Sequence, residues 1–297
     1  MNTRNSVLLI LEMHRGKYIS GELLASELGV SRNAIWKAIN DLRSSGYSIS
    51  SVSNRGYMME ESNDIISPQG IQVFLNNPKD VERIQVYEKI DSTNLEARRQ
   101  IIEGYDRGDI IIAKTQTAGR GHLNKMIDSP EGGIYLSQII KPYGIDATSN
   151  SIQSTIRVSR AIEKVTGKQV EIGWTSNIYL DDKKVAGILN EVIADLETGI
   201  INNYICGIGI MIQGYSRNQI IAEVINEYNT KFRKRDISFY NERLRQIGEK
   251  VKIILPEPDG GTNTVIGKVI GLDLDGCLQL ENDKGKVVVI RRGYIAE

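Results

Sequence analysis

The sequence is short of cysteine and carries no surplus of charge. Cys206 and Cys277 are its two cysteines, far apart and with no C-x-x-C pair; this excludes a zinc ribbon or a disulfide scaffold and fits a reducing cytoplasm, where the chain is expected to reside. Lys and Arg number 37 against 37 Asp and Glu, which excludes a protein that coats nucleic acid along its whole length and leaves local basic patches to be sought segment by segment. Long apolar runs are missing as well. The longest, Val7-Leu8-Leu9-Ile10-Leu11, is too short for a signal-peptide core and is followed by charge. Nothing approaches the roughly 20 apolar residues of a bilayer span, so no membrane partner is expected. There is no internal repeat and no low-complexity tract. What remains is an ordinary globular composition, 40% hydrophobic and 25% charged over 297 residues, a length that suits two domains and a small third.

Residues 1–62 read as three helices and a hairpin. Val7, Leu8, Ile10 and Leu11 recur at helical spacing up to about Gly16. Ser20 is placed to cap a second helix with Leu23, Leu24, Ala25 and Leu28 on its buried face before Gly29. Ser31 caps a third, with Ala34, Ile35, Ile39 and Leu42 facing inward. Tyr47 to Ser50 and the turn Asn54-Arg55-Gly56-Tyr57 then give a short hairpin. This is a winged helix-turn-helix. Its third helix would lie in a DNA major groove, and Arg32, Asn33, Trp36, Lys37, Asn40, Arg43 and Arg55 are the candidate DNA-binding residues. From Ser31 to Tyr57 the positive residues Arg32, Lys37, Arg43 and Arg55 face Asp41 alone. A hairpin and helix used only for protein contacts is the plainer alternative.

Residues 63–248 alternate strand and helix after a polar linker at Glu60 to Pro68. Helices are expected at Pro68–Leu75, Ser92–Glu103, Ser151–Gly167, Asn218–Phe232 and Ser238–Ile247. Strands are expected at Ile84–Tyr87, Ile110–Ala113, Gly133–Ile140, Val170–Trp174, Ile178–Leu180, Val185–Val192 and Asn203–Ile212. This is an α+β domain on a mixed sheet. Residues 249–297 carry four strand patterns separated by Gly260-Gly261, Asp275-Gly276 and Lys284-Gly285, which fits a small β-barrel of SH3 type.

Three segments gather polar and glycine residues just after strands, where such domains build ligand pockets. Asp91-Ser92-Thr93-Asn94 opens a helix and would by itself be read as an N-cap. Gln116-Thr117-Ala118-Gly119-Arg120-Gly121-His122 follows a buried strand; its glycines let main-chain N–H groups surround an anion, and the same loop would otherwise be a flexible surface segment. Gly173 to Leu180, continuing through Lys184-Val185-Ala186-Gly187-Ile188-Leu189-Asn190-Glu191, reads as a hairpin.

In this order the segments resemble the biotin protein ligase family, of the bifunctional ligase and biotin-operon repressor (BirA) type. The resemblance also rests on S-P-x-G-G-x-Y-L-S at Ser129–Ser137 and G-x-G-I at Gly207–Ile210 and spans the whole chain. It implies a pocket in which Ser92, Thr93 and Gln116 bind the ureido head of biotin, with Asn94 supporting them. Gly119, Arg120 and Gly121 would fold over the carboxylate end, beside His122, Trp174, Gly187 and Ile188. The chain also departs from the family pattern. A second loop arginine is His122, a lysine is Gly173, a motif-ending carboxylate is the amide Asn177, a tryptophan is Ile127 and an asparagine is Met211. Adenylate formation gathers negative charge that cations must meet. Two missing cations therefore point to a regulator that senses biotin or a biotin-like effector, with ligase activity weakened or lost and no confident catalytic residue. His122, Lys125 and Lys114 are the candidate replacements. The alternative is an active bifunctional ligase and repressor using ATP and magnesium and modifying a biotin carboxyl-carrier protein; a third is a DNA-binding protein with a merely structural ligase-like body. Operator DNA, a small-molecule effector and a homodimer are the expected partners, and no protein-held metal is expected.

Overall fold

The computed structural model describes residues 2–104, 109–122, 125–142, 147–195, 197–257 and 261–296. The chain divides into two compact units, Met1–Val86 with Ser216–Asn226, and Tyr87–Tyr215 with Glu227–Glu297. These limits do not coincide with the expected domain boundaries at 62/63 and 248/249.

The first unit holds α1 (Thr3–Met13), α2 (Gly21–Leu28), α3 (Arg32–Ser44), the hairpin β1 (Ile49–Val52) and β2 (Gly56–Met59), and α4 (Pro68–Gln72). Both expected caps form: Ser20 accepts from the Leu23 N–H and Ser31 from the Ala34 N–H. Gly29 ends α2 in the left-handed conformation, φ 63°. Val7, Leu8, Leu11, Leu24, Ile35, Ile39 and Leu42 pack one core with Met59. Ala38 joins it where Ala34 was expected, and Leu23 stands exposed. The helix expected over Pro68–Leu75 ends early, at Gln72.

Residues 63–76 belong to this unit because α7 (Arg217–Tyr228) holds them through side-chain amides that match backbone groups. Asn218 accepts from the Ser67 N–H at 3.1 Å and donates to the Ile65 carbonyl at 2.9 Å. Asn226 likewise accepts from Asn76 and donates to Phe74. Arg217 binds Asp64. Buried amides paired in this way avoid the desolvation cost of an unmet donor or acceptor.

The second unit is built on a seven-stranded sheet, β3 (Ile84–Ile90), β4 (Ile110–Gln116), β5 (Ile134–Ile140), β6 (Glu171–Gly173), β7 (Asn177–Leu180), β8 (Lys183–Ala194) and β9 (Ile201–Ile210), in the order β3-β4-β5-β9-β8-β7-β6. Two helices accompany it, α5 (Thr93–Ile102) and α6 (Ala147–Thr166). Ala97 of α5 packs on Ile111, Ile139 and Ile205. The helix expected over Ser238–Ile247 is corrected to α8, Ile237–Asn241. Its remainder is drawn into pairing with β6, since the Ile172 N–H bonds the Arg243 carbonyl and the Arg245 N–H bonds the Ile172 carbonyl.

Residues after 249 form a second, five-stranded antiparallel sheet of β10 (Lys250–Pro256), β11 (Thr262–Leu272), β12 (Leu278–Glu281), β13 (Val287–Ile290) and β14 (Tyr294–Ile295), in the order β13-β12-β11-β10-β14. The fold is thus α+β as expected. Both cysteines are buried and free, and among the described residues no helix is long and apolar enough to cross a membrane.

Candidate functional site

On the first unit, Arg32, Asn33, Trp36 and Lys37 are exposed along α3 and Asn40 is half-buried. Trp36 is 58% exposed, unusual for an aromatic residue without a partner surface. Two of the expected DNA contacts are engaged inside the domain. Arg32 is ion-paired with Glu22 of α2, and Arg43 donates through Nε to the Ile49 carbonyl at 2.9 Å, tying α3 to the hairpin. Arg55, at the hairpin turn, stacks over the Tyr18 ring at 4.5 Å. The charge count from sequence missed Glu22 because it lies outside the window. Glu22→Gln is therefore expected to release Arg32, tighten DNA binding at low salt and steepen its salt dependence by about one phosphate contact, as a titration of affinity against salt would read.

The second unit holds a cavity of about 760 Å³. Ser92, Thr93, Asn94, Gln116, Arg120, Gly121, His122, Trp174, Gly187 and Ile188 all line it, as does Lys125. Gly119 does not; it is buried behind the loop, where a Cβ would lie 2.9 Å from Ser129 Oγ and 3.1 Å from Gln116 Nε2.

One end of the cavity is a closed hydrogen-bond network. Ser92 stands at the N-cap position of α5, yet its side chain makes no capping bond. Gln116 Oε1 accepts from the Thr93 N–H at 2.8 Å and from its hydroxyl at 3.2 Å, while Nε2 donates to Ser129 Oγ at 3.0 Å. Those partners fix the orientation of the amide. Ser137 Oγ lies 2.7 Å from the Thr93 hydroxyl and 2.5 Å from Asn94 Oδ1, and Asn94 Nδ2 donates to Glu191 at 2.8 Å. Gly207 is necessary here: a Cβ on it would sit 2.2 Å from Asn94 Oδ1. Ser129, Ser137 and Glu191 lie inside quoted motifs, but nothing local in the sequence marked them as partners of Gln116 and Asn94.

The floor beyond this network is nearly bare. Register places Gly173, Asn177, Gly187 and Gly209 side by side across β6, β7, β8 and β9. Two features correct the search for replacement cations. His122 Nε2 lies 3.1 Å from the Ile188 carbonyl; burial first, then the Lys184 charge, pull its pKa below the ordinary imidazole value, against the opposing effect of that hydrogen bond. It is therefore a neutral donor near pH 7 and not a cation. Lys114 is paired with Glu88 at 2.7 Å and does not line the cavity. Lys125 does line it, together with Arg120, Lys184 and Arg292.

A pH dependence follows for the His122 contact. Its folded pKa is depressed, so the unfolded or open state binds more protons below about pH 6.5. The contact's contribution is full above that value and is lost as pH falls through the lower folded pKa. Measured relative to the intrinsic exchange rate at each pH, the protection of the amides of residues 119–122 should weaken on acidification from pH 7.5 to 5.5, and His122→Asn should remove that weakening.

Among the described residues no group of three or more His, Cys, Asp and Glu is arranged to hold a metal. The HTH domain family model matches residues 3–58, and the Biotin/lipoate A/B protein ligase family model matches residues 86–210. The bifunctional ligase/repressor BirA of Escherichia coli (strain K12) is 30% identical over 306 residues, covering 93% of this chain and 92% of that relative. That of Bacillus subtilis (strain 168) is 27% identical over 326 residues, covering 99% and 97%. Among solved structures, the biotin protein ligase from Aquifex aeolicus in complex with biotin and ATP aligns with a TM-score of 0.59 at 22% identity, covering 72% of this chain and 97% of that one.

Proposed function

The chain belongs to the family of bifunctional ligase/repressor BirA proteins, and from that premise we propose that it is a biotin-binding, operator-binding transcriptional regulator that also retains biotin activation. The observation that carries the biotin reading is the Thr93–Gln116–Ser129–Ser137 network, with Ser92 beside it and its hydroxyl uncommitted to a cap. Such a set offers donors and acceptors fixed in advance to a ureido group, which needs both. Retained ligation is supported by the relatives that match along nearly the whole chain and by the four basic residues lining the cavity. In the proposed reaction biotin and ATP give biotinyl-adenylate and pyrophosphate, and an acceptor lysine on a carrier domain then takes the biotinyl group as AMP leaves.

In this reading ligand binding settles residues 116–122 and favours pairing of two copies, whose winged helices then read two half-sites. A second reading, a sensor without ligase activity, is favoured by Gly173 and the neutral His122. Biotin with radiolabelled ATP, scored for biotinyl-adenylate and for transfer to a carrier domain, separates the two: product above background supports the bifunctional reading, and a biotin-dependent shift in melting temperature without product supports the sensor. Gel shift with and without biotin tests the regulatory part, and equal operator affinity at saturating biotin would exclude biotin as the effector.

A further inference from the structure

The third helix of the first unit carries one exposed residue that hydrogen bonding does not explain. At about 3.6 residues per turn, Asn33, Trp36, Lys37 and Asn40 fall on one stripe of α3, opposite the buried Ile35, Ala38, Ile39 and Leu42. Arg32 and Arg43 stand to one side of that stripe. Both are held by contacts within the domain, Arg32 by Glu22 and Arg43 by the Ile49 carbonyl, so the groups best suited to guanine edges are engaged. Among the described residues Trp36 is the one large apolar side chain that α3 exposes. Asn33, Lys37 and Asn40 surround it with hydrogen-bonding groups. A lone apolar ring in a polar stripe makes a poor centre for a protein interface, where several apolar side chains gather. The floor of a DNA major groove has the matching mixture: hydrogen-bonding edges on every base pair and a single kind of apolar group, the C5 methyl of thymine. The amides and the ammonium suit the first, and the indole face suits the second.

We propose that Trp36 is a specificity-determining residue that packs its indole against a thymine methyl in the major groove. The assignment rests on the operator-binding reading of the first unit. Trp36 suits the task because it brings a large apolar face with only two side-chain torsions to fix on binding. Asn33 and Asn40, before and after it on the stripe, are amides of the kind that pair with adenine edges. The stripe as a whole therefore favours A·T pairs beneath α3. Because the indole is uncharged, its contact displaces no counterions and contributes equally at every salt concentration. That separates it from Lys37, whose contribution to a phosphate or purine edge is charged.

The test starts from the duplex that the full chain, with biotin and ATP present, enriches from a pool of random sequence. Its thymines are replaced one at a time by deoxyuridine, which keeps the base pair and lacks the methyl. At one or more positions the native protein should bind about fourfold more weakly, as burial of one methyl group implies. Trp36→Ala should weaken binding of the thymine duplex at least about tenfold, lose the difference between thymine and deoxyuridine at those positions, and keep the native slope of affinity against salt. Trp36→Phe, which retains an aromatic face, should keep most of the difference. With 5-iododeoxyuridine at the sensitive position, irradiation should cross-link the tryptic peptide Asn33–Lys37, whose aromatic residue is Trp36. Indifference of the native protein to every replacement, or a Trp36→Ala variant that keeps the difference, would overturn the assignment, and a cross-link to another peptide counts against it. Failure of the native protein to enrich any duplex would instead overturn the operator-binding reading, and the assignment with it, in favour of protein contacts.

Discussion

Gln116→Ala is expected to weaken biotin binding by about 100-fold and to lower folding stability by about 2 kcal/mol. The side chain meets three groups at once, the Thr93 N–H, the Thr93 hydroxyl and the Ser129 hydroxyl. Thr93 and Ser129 are both buried, so truncation leaves them facing a gap, and each unmet buried polar group costs about 1–3 kcal/mol. Part of that loss appears in the free protein. The rest appears on binding, because Thr93 and Ser129 no longer hold the positions a ureido head requires; about 2.7 kcal/mol corresponds to the 100-fold change. Calorimetry and thermal unfolding read the two effects separately. A biotin affinity within threefold of native would remove Gln116 from the binding site.

Gly56→Ala is expected to abolish operator binding while leaving the cavity competent. Gly56 has φ +101°, and a Cβ on it would lie 2.0 Å from the Ile19 carbonyl oxygen. That oxygen belongs to backbone pairing between Ile19 and Tyr57, with hydrogen bonds of 2.8 and 2.9 Å in the two directions. The obstacle is main chain, which no rotamer change relieves. Backbone strain of about 1–3 kcal/mol with loss of two hydrogen bonds at about 1 kcal/mol each is a large share of a small unit's stability of about 5–15 kcal/mol. Amide exchange should show deprotection confined to the first unit, with biotin affinity unchanged. Native operator affinity in this variant would mean that the hairpin plays no part in DNA binding.

The two halves of the site were unequally legible from sequence. Caps, helix stops and turn glycines act over three or four residues, and Ser20, Gly29 and Ser31 behave as their types suggest. Ser92 does not. As a lone residue it reads as a cap, yet its side chain makes no capping bond and it lines the cavity, whose other walls arrive from distant strands and loops. Residues 243–245 continue a helical pattern in sequence but pair with β6, because an open strand edge competes successfully with a short helix. The place of Lys184 in the cavity lining, beside Gly187, was hidden for a related reason. Alternation along β8 assigns it to the face away from Gly187, and the bulge at Val185 that reverses this depends on pairing with β7. The charge of His122 depends on burial and on Lys184, neither of which adjoins it in sequence.

The chain passes between its two compact units three times, after Val86, after Tyr215 and after Asn226. No single cut can therefore yield both units intact. A fragment ending at residue 86 would lose α7, leaving the backbone of Ile65, Ser67, Phe74 and Asn76 without the asparagine amides that bind it. Anyone building a portable DNA-binding module from this protein, or a free-standing ligand domain, needs a circular permutant or a grafted helix in place of a truncation. For the same reason a single recombination breakpoint could not exchange one unit without splitting the other.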